Sequence, residues 1–409
     1  FVLSYPVARR PLGLAMPSAS SIVRSLGAGA AALFFAIHPL RVESVAWITE
    51  RRALTSGFFL LLAVLSHLKT HERPAEVPAG WRLVALGSTA LALGSKAIVM
   101  GLPLVLVILD IYPLRRLGPG VRDWLSSRAR SVWLEKIPFA LFAAAAAVIA
   151  FNVQRSTGYL TPATLETRLA ITAYNVWFHA WKTFVPLNLS PVYELPLSVS
   201  PLEGPYLWSA VAVLAITATV WIVRRHWPAG LATWAFYVVM LAPVSGIVHT
   251  GYHLGADRNT YIACAGFALL VGALVALVGD AWQRGTLRRV IAAPALALCL
   301  AWIVGLGLSA SIQTTVWQDS ETLWRYAVEI DPACSVCQHH FAVSMARRGN
   351  RAEGVAAFER AIALRPDRSE YRANYGVVLM EMGRRDEGLA ALRYRIADNP
   401  RDFGERRNF

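Results

Sequence analysis

The chain has 409 residues, of which 56% are hydrophobic and only 16% are charged, and its mean hydropathy is +0.44. Soluble globular domains carry about 25% charged residues, so this composition excludes an ordinary soluble protein. The net charge of +14 would suit nucleic acid, but the arginines stand in short clusters between apolar runs. Because such clusters set topology in membranes, we expect a protein that contacts the lipid bilayer and no nucleic acid.

Apolar segments succeed one another over the first three quarters of the chain. They cover residues 21–37, 54–68, 82–94, 97–111, 137–152, 168–187, 206–223, 229–245, 258–279 and 290–312. A helix of about 20 apolar residues crosses a hydrocarbon layer about 30 Å thick. We therefore predict an all-α fold in which residues 1–312 form a polytopic transmembrane helix bundle. The segment 168–187 is the one that we do not expect to be a simple crossing.

The basic clusters indicate which side of the membrane each loop faces. Arginines gather at 115–130, 224–225 and 284–289, and the positive-inside rule places such loops in the cytoplasm. Counting crossings from them puts both flanks of 168–187 outside, so this segment is predicted to be re-entrant or interfacial. The alternative is that a neighbouring segment fails to span. The same count places loops 38–53 and 246–257, the turn at Lys96, and everything after 312 outside.

The last quarter of the chain is charged and repeats with a period of 34 residues. Pro332, Pro366 and Pro400 recur at this spacing, as do Gly349 and Gly383. This period, with a proline ending each unit, is typical of tetratricopeptide repeats. We predict a repeat array in 313–409, with a half repeat at 313–334 and repeats at 335–368 and 369–402. So few repeats bury little surface, so we expect the array to dock on the membrane domain or to continue beyond residue 409.

A C-x-x-C motif opens the first full repeat at Cys334 and Cys337. Haem attachment requires a histidine directly after the second cysteine, and Gln338 occupies that place. A zinc site requires a second pair of ligands at characteristic spacing. We therefore predict no metal here, and either an incidental pair or a local disulfide.

The outer loop 38–53 carries the first candidate site residues. On a helix, Glu43, Trp47 and Glu50 would recur at i, i+4 and i+7 and form one stripe at the membrane surface. Glu43 is the candidate catalytic base, and His38 and Glu50 are further candidates. The alternative is an ordinary interfacial helix whose glutamates pair with its arginines.

Several cations of the predicted outer face are candidates for binding a phosphate group. Arginine does so through forked, charge-assisted hydrogen bonds. The candidates are Arg41, Arg51, Arg52, Lys96 and Arg258. A second outer cluster, residues 249–261, adds Asp257, and the segment 168–187 adds Lys182. An Asp257–Arg258 pair could also be a simple topology marker, and a lysine near a helix end often only extends to the interface.

The sequence lacks the motifs of several common enzyme classes. It has no glycine-rich phosphate loop, no H-E-x-x-H and no G-x-S-x-G. Cytoplasmic nucleotide-driven chemistry is therefore unsupported. A sugar donor carried on a lipid phosphate would suit charged outer loops above a membrane bundle.

Several motifs follow one another along the chain. They are His38-Pro39-x-x-Val42-Glu43-Ser44-Val45-Ala46-Trp47-Ile48-x-Glu50-Arg51, Ser95-Lys96, Leu109-Asp110-x-Tyr112-Pro113-Leu114-Arg115-Arg116, Trp181-Lys182-Thr183 before Pro186-x-Asn188-Leu189, Ala256-Asp257-Arg258-x-Thr260-Tyr261, and Trp317-x-Asp319-Ser320-Glu321-Thr322-Leu323-Trp324. Taken together, they resemble the motifs of the transmembrane and tetratricopeptide-repeat-containing O-mannosyltransferases and their bacterial relatives, and their order and spacing agree with that family from about Gly27 to Pro400.

The resemblance implies a membrane glycosyltransferase of the C-type (GT-C) fold. Such an enzyme moves a sugar, mannose in this family, from a polyprenyl-phosphate carrier to Ser or Thr hydroxyls by an inverting displacement. A carboxylate takes the acceptor proton while cations stabilise the leaving phosphate. The repeats would bind the acceptor protein or peptide. The expected location is the bacterial inner membrane with the repeats in the periplasm. The lipid-linked sugar is the donor, no further cofactor is predicted, and a role for a divalent metal stays open.

One departure from the family concerns its first outer loop, which holds the acidic pair expected to carry catalysis. This loop has no counterpart here, and residues 1–20 contain no Asp or Glu. We expect the chain to be a fragment at its N-terminus; a complete chain of this sequence would be inactive as a transferase. The alternative function is a non-catalytic membrane scaffold whose repeats bind protein partners. A transporter is less favoured, because no repeated halves are evident.

Overall fold

The computed structural model describes residues 2–72, 80–118, 120–156, 164–247 and 253–398. The chain divides into two compact units: Phe1–Leu187 with Pro196–Gln313, and Asn188–Leu195 with Thr314–Phe409. The main division follows residue 313, next to the boundary predicted after 312. The inclusion of Asn188–Leu195 in the second unit was not predicted. Residues 249–252 of the second outer cluster and 399–402 of the last predicted repeat lie outside the described residues.

Helices make up almost all of the described part of the first unit. They are α1 (Ser4–Ala15), α2 (Ser21–Ala36), α3 (Val42–Ala46), α4 (Arg51–Glu72), α5 (Gly80–Ser95), α6 (Leu102–Ile111), α7 (Val121–Trp124), α8 (Ser127–Ser156), α9 (Leu165–Phe184), α10 (Gly204–Ile222), α11 (Pro228–Leu241), α12 (Thr260–Ala263), α13 (Ala265–Gln283) and α14 (Arg289–Val316), the last of which continues into the second unit. Short 3-10 turns occupy Pro39–Arg41, Ile48–Glu50, Ala97–Gly101, Val223–Arg225, Ala242–Val244 and Asp257–Asn259. Two short extended segments are β1 (Tyr193–Glu194) and β2 (His253–Gly255).

Long apolar helices make the chain an integral membrane protein. Within the described ranges, five helices are long and apolar enough to cross a bilayer: Ile48–His71, Ala129–Ser156, Gly204–Arg225, Ala265–Gln283 and Arg289–Val316. A sixth crossing results if Ser21–Ala36 and Pro39–Ala46, which meet at 54°, form one span. Helices Ala97–Ile111 and Pro228–Val244 are apolar but shorter. Helix length and composition therefore support five or six crossings in the described ranges, which is fewer than the apolar segments of the sequence predict.

The segment predicted to be re-entrant or interfacial, 168–187, forms most of the continuous helix α9. Its polar residues Asn175, His179 and Thr183 are all buried. The Asn175 amide donates to the Ser245 carbonyl at 2.8 Å, and the Thr183 hydroxyl donates to the His179 carbonyl at 2.7 Å. Polar groups in a membrane domain are stable when they are satisfied inside the protein, as the Asn175 amide nitrogen and the Thr183 hydroxyl are. The orientation of α9 in the membrane stays a prediction.

Small residues allow close helix packing in the first unit between α2 and α13. A Cβ atom added to Gly27 would lie 2.6 Å from the carbonyl oxygen of Gly272. No side chain fits at that distance, so both positions require glycine, as at many membrane helix contacts. A larger core lies elsewhere in the unit around the fully buried Tyr237, whose hydroxyl donates to the Val176 carbonyl at 2.6 Å.

Helices that recur with a period of 34 residues make up most of the described part of the second unit. Its helices are α15 (Ser320–Ile330), α16 (Ser335–Arg347), α17 (Arg351–Leu364), α18 (Ser369–Glu381) and α19 (Arg385–Asp398). Gly349 and Gly383 follow α16 and α18 with φ of 86° and 83°. This left-handed conformation ends a helix and is accessible to glycine at no steric cost. The helices thus repeat at the spacing seen in the sequence, while membership of the tetratricopeptide class stays a prediction.

The segment Asn188–Leu195 attaches to these helices through Glu194. Its carboxylate accepts hydrogen bonds from the backbone N–H and the hydroxyl of Ser335, both at 2.5 Å. Arg365 lies 3.5 Å from the same carboxylate. A negative charge at this position is favourable because the unpaired N–H groups of a helix N-terminus carry positive charge. Cys334 and Cys337 form a disulfide in the same turn, which is one of the two alternatives that the sequence leaves open.

We expect Glu194→Ala to destabilise the second unit by about 1–3 kcal/mol, because the start of α16 loses a charged acceptor. Hydrogen exchange of α16 in the purified chain measures this as faster exchange of its first turn. Glu370→Ala is the matched control, since Glu370 is an exposed carboxylate in the first turn of α18. Equal effects of the two substitutions would contradict the role given to Glu194.

One buried histidine, His339, and one half-buried histidine, His340, predict that acid destabilises the second unit. Burial lowers the pKa from 6.5 to about 3 for His339 and to about 4 for His340. Between these values and 6.5 the unfolded chain binds more protons than the folded one, so stability falls as the pH drops below 6.5. We expect a loss of about 2 kcal/mol per histidine at pH 5.

Hydrogen exchange of α16–α18 between pH 5 and 7.5, corrected for the intrinsic exchange rate, measures this slope. His340→Phe should remove part of it while keeping the ring stacked on Trp324, which lies 4.4 Å from the His340 ring. His226→Gln, at an exposed position of the first unit, should leave the slope unchanged. A slope that His340→Phe does not reduce would exclude His340 as a source.

Candidate functional site

The turn after α2 brings the candidate residues of loop 38–53 into position. His38 precedes Pro39, and its Nδ1 accepts a hydrogen bond from the Leu40 N–H at 3.2 Å. Its Nε2 lies 2.8 Å from the carbonyl oxygen of Thr183 in α9. Because Nδ1 accepts, Nε2 carries the proton and donates it, which fixes the neutral tautomer. His38 therefore holds the loop on α9 and is itself buried.

The central interaction of the site joins Glu43 to Arg258. One carboxylate oxygen of Glu43 accepts the backbone N–H of Arg258 at 2.6 Å, and the other accepts from its guanidinium Nη1 at 2.5 Å. The Glu43 side chain is 3% exposed and that of Arg258 is 17% exposed. A buried charge is stable only when it is paired, so each group requires the other.

Glu50 and Lys96 extend this pair into a network. The Lys96 ammonium donates to one Glu50 oxygen at 2.5 Å, and the other oxygen lies 4.0 Å from Nε of Arg258. Burial lowers the pKa of Lys96, and the neighbouring Glu50 carboxylate opposes this shift. We call Glu43, Arg258, Glu50 and Lys96 the outer network. Its two carboxylates and two cations alternate, so that it is electrically neutral with all four groups ionised.

Trp47 covers one side of the outer network. The guanidinium carbon of Arg258 lies 5.1 Å from the centre of the Trp47 ring, within the range of a cation–π interaction. The predicted continuous helical stripe is wrong in detail, because α3 ends at Ala46 and Trp47 is extended, with φ −79° and ψ 111°. Glu43 and Glu50 nevertheless reach the same arginine, since Arg258 approaches from another part of the chain.

Arg41 takes a different place from the one predicted for a loop cation. Its side chain is buried, and its guanidinium carbon lies 5.1 Å from the ring of Phe35 and 5.6 Å from that of Tyr261. Over the described ranges, its Nε and Nη1 meet no hydrogen-bond acceptor. Arg41 is thus a cation that lies between two aromatic rings and has N–H donors without an acceptor in the described ranges.

The two following arginines remain outside the outer network. Arg51 and Arg52 begin α4 and are both exposed. The Arg51 Nε donates to the Ile48 carbonyl at 3.1 Å, which closes the turn before the helix. Their exposed positions are compatible with contacts to lipid headgroups or to a ligand phosphate.

Lys182 and Asp257 form a further polar region of the first unit. The Lys182 ammonium donates to the carbonyl of Leu187 and lies 5.4 Å from the ring of Phe178. Burial lowers the pKa of Lys182, and the negative charge of Asp257 opposes the shift. Asp257 is buried directly beside Arg258 in the chain. The structure therefore relates these two candidates electrostatically.

The outer network contains N–H donors as well as carboxylates. In the described part of the chain, no group of three or more His, Cys, Asp or Glu side chains could hold a metal. Lys96 and Arg258 instead offer several N–H donors next to the exposed Arg51 and Arg52. Both Glu43 oxygens are bound to Arg258, so in this arrangement Glu43 positions the guanidinium. Its role as a catalytic base stays a prediction.

Sequence reasoning missed a second charged cluster, which surrounds Asp110 at the end of α6. The buried Asp110 carboxylate lies 3.1 Å from His67 Nε2, 2.9 Å from Arg116 Nη1 and 2.5 Å from Lys136 Nζ. In the sequence, Asp110 and Arg116 stand out only as members of the motif at 109–116, and neither was a candidate site residue. The available signal was a carboxylate inside an apolar segment, which is costly unless it is paired.

A double-mutant cycle tests the central pair. We expect Glu43→Gln and Arg258→Gln to show a coupling free energy of about 1–3 kcal/mol, because each leaves the other partly unpaired in a buried position. Thermal unfolding of the four proteins in detergent measures it. The control cycle is Asp280–Arg284, an ion pair at i,i+4 with its arginine 48% exposed, for which we expect less than about 0.5 kcal/mol. Equal coupling in the two cycles would contradict the central role of the buried pair.

We compared the chain with family models, curated proteins and solved structures, and none of the three comparisons gives a match. The comparisons therefore assign neither a family nor a fold. The function proposed below depends on the motifs of the chain and on the geometry of the outer network.

Proposed function

We propose that the chain is a membrane glycosyltransferase of the GT-C type. It transfers a sugar, mannose according to the resemblance, from a polyprenyl-phosphate carrier to Ser or Thr hydroxyls of proteins. One observation carries the proposal: Glu43, Glu50, Lys96 and Arg258 come from three separate motifs and meet in one network. Residues that are distant in sequence but share a site are what an enzyme of this class requires.

The location of the outer network suits a substrate with a lipid tail and a charged head. The network lies at the start of the span Ile48–His71, where a membrane helix meets the headgroup region. A polyprenyl-phosphate sugar keeps its tail in the bilayer and its phosphate at this level. Lys96 and Arg258, with Arg41, Arg51 and Arg52 as further candidates, would donate hydrogen bonds to that phosphate.

The reaction follows from these charges. The acceptor hydroxyl oxygen attacks the anomeric carbon as the bond from that carbon to the phosphate oxygen breaks. The hydroxyl proton passes to a carboxylate, for which Glu43 is the candidate, and the electron pair leaves with the phosphate. Cations fixed before the reaction stabilise the charge that develops on the leaving phosphate. The partly buried position of the network strengthens this effect by excluding water.

The disulfide of the second unit supports a location for the helical repeats. Disulfides such as Cys334–Cys337 persist in oxidising compartments and are rare in the cytosol. In a bacterium this corresponds to the periplasmic side of the inner membrane, the side predicted from the basic loops. Tetratricopeptide-like repeats on that side would bind the acceptor protein or peptide.

A second function, a non-catalytic membrane scaffold, has its own support. Every charge of the outer network has a partner within the network, and both oxygens of Glu43 are bound. A site that satisfies itself does not require a ligand. In this case the network stabilises the membrane unit while the repeats bind a protein partner.

A transfer assay separates the two functions. The purified protein is incubated with radiolabelled polyprenyl-phosphate mannose and a Ser/Thr peptide, and label in the peptide is counted. We expect Arg258→Ala and Lys96→Gln each to lower the rate about 100-fold or more, because each removes a donor to the leaving phosphate. Arg155→Gln is the control, as an exposed arginine at the predicted outer end of α8, and should transfer normally.

The outcome that contradicts the enzyme is specific. A cooperative thermal unfolding transition shows that the wild-type protein is folded. If this folded protein transfers no sugar, the scaffold function is favoured. If Arg258→Ala and Lys96→Gln transfer at the rate of Arg155→Gln, the outer network is not the site of transfer.

A further inference from the structure

A polar cavity lies at the opposite end of α4 from Glu50. Its volume is about 220 Å³, and side chains of α4, α5 and α8 line it. The polar part of the wall comes from His67, His71, Arg82, Glu135 and Lys136. A cavity of this size has room for several water molecules or for one small polar group.

The charged groups around this cavity do not cancel. Among the charged side chains that the structure describes here, Arg82, Arg116 and Lys136 are cations and Asp110 and Glu135 are carboxylates, so one positive charge remains with both histidines neutral. Asp110 is shared by Arg116 and Lys136, and Glu135 lies 2.8 Å from Arg116 but 3.9 Å from Arg82. Arg82 thus has the weakest pairing of the three cations, and its side chain is 63% exposed at the mouth of the cavity.

The surroundings of the cavity indicate the origin of its ligand. The cavity lies near the ends of two helices long enough to cross the bilayer, Ile48–His71 and Ala129–Ser156. Leu86 and Phe139 form an apolar part of the same wall. A lipid presents this combination of a phosphate beside hydrocarbon, and basic pockets between membrane helices bind such headgroups. A free phosphate ion would gain nothing from the apolar wall.

We propose that this cavity binds the phosphate group of an anionic membrane lipid. Arg82 at the mouth donates to the phosphate oxygens, the surplus positive charge balances the single negative charge of a phosphodiester, and Leu86 and Phe139 contact the start of the acyl chains. This lipid site is separate from the outer network and does not depend on the transferase activity.

Lipid titration of the full chain in detergent tests the site. The probes are phosphatidylglycerol, phosphatidylcholine of the same acyl chains, and inorganic phosphate, and the readouts are the thermal unfolding midpoint and native mass spectrometry. Phosphatidylglycerol should raise the midpoint saturably, since a ligand of the folded state stabilises it. Phosphatidylcholine, whose headgroup has no net charge, and inorganic phosphate should raise it much less at equal concentration.

Two substitutions assign the binding to the cavity. Arg82→Gln should weaken phosphatidylglycerol binding about tenfold, the size expected for losing one charge-assisted hydrogen bond. Because Arg82 is exposed, the thermal unfolding midpoint of the Arg82→Gln variant without lipid should stay near that of wild type. Arg225→Gln, an exposed arginine at another predicted cytoplasmic helix end, should bind within about twofold of wild type.

Three results would overturn the proposal. Equal lipid binding by Arg82→Gln and wild type excludes the cavity as the site. Equal stabilisation by phosphatidylcholine shows that the headgroup charge is irrelevant. Equal stabilisation by inorganic phosphate shows a general anion site and no lipid site.

Discussion

The buried carboxylate of Glu43 imposes the constraint on which the site depends. An ionised carboxylate removed from water costs several kcal/mol unless a cation and hydrogen-bond donors replace the solvent. Arg258 provides both, from a position 215 residues further along the chain. Since its backbone N–H and its guanidinium bind different oxygens of Glu43, the turn Asp257–Asn259 is held in position and orientation. Glu50, which pairs with Lys96, then lies 4.0 Å from a guanidinium whose place is already set.

The helix α4 carries a cluster of paired charges at each of its two ends. Glu50 precedes its first residue, and His67 and His71 occupy its last turns. Each cluster places carboxylates in a protected environment and surrounds them with cations from other helices. A helix of this length is a rigid spacer, so the distance between the clusters is set by a single element. From residue 53 to residue 66, between the two clusters, the helix carries no charged side chain.

The sequence predicts the helices better than it predicts their meeting points. The 34-residue period and the apolar runs follow from patterns within short windows, because helical periodicity is local. The candidates Glu43, Glu50, Lys96 and Arg258 are charged residues of the predicted outer loops and turn, which is also a local property of the sequence. Their pairing is not local. Nothing in the spacing of His38 and Thr183, or of Glu194 and Ser335, indicates contact, since such contacts arise only when distant segments pack. For the same reason, Arg41 was grouped with loop cations although it lies between two rings.

Because Glu194 binds the start of α16, the segment that contains it is translated before the residues that it binds. The ribosome completes Glu194 well before Ser335, its partner 141 residues later. At about 5–20 residues per second, the interval is about 7–28 s. During that time the segment Asn188–Leu195 has been translated without the helices it belongs to, while the membrane helices after it are still being inserted. A polypeptide shortened before residue 335 never supplies that partner. Deleting the helical repeats therefore also removes the binding site of a segment that the truncated chain still contains.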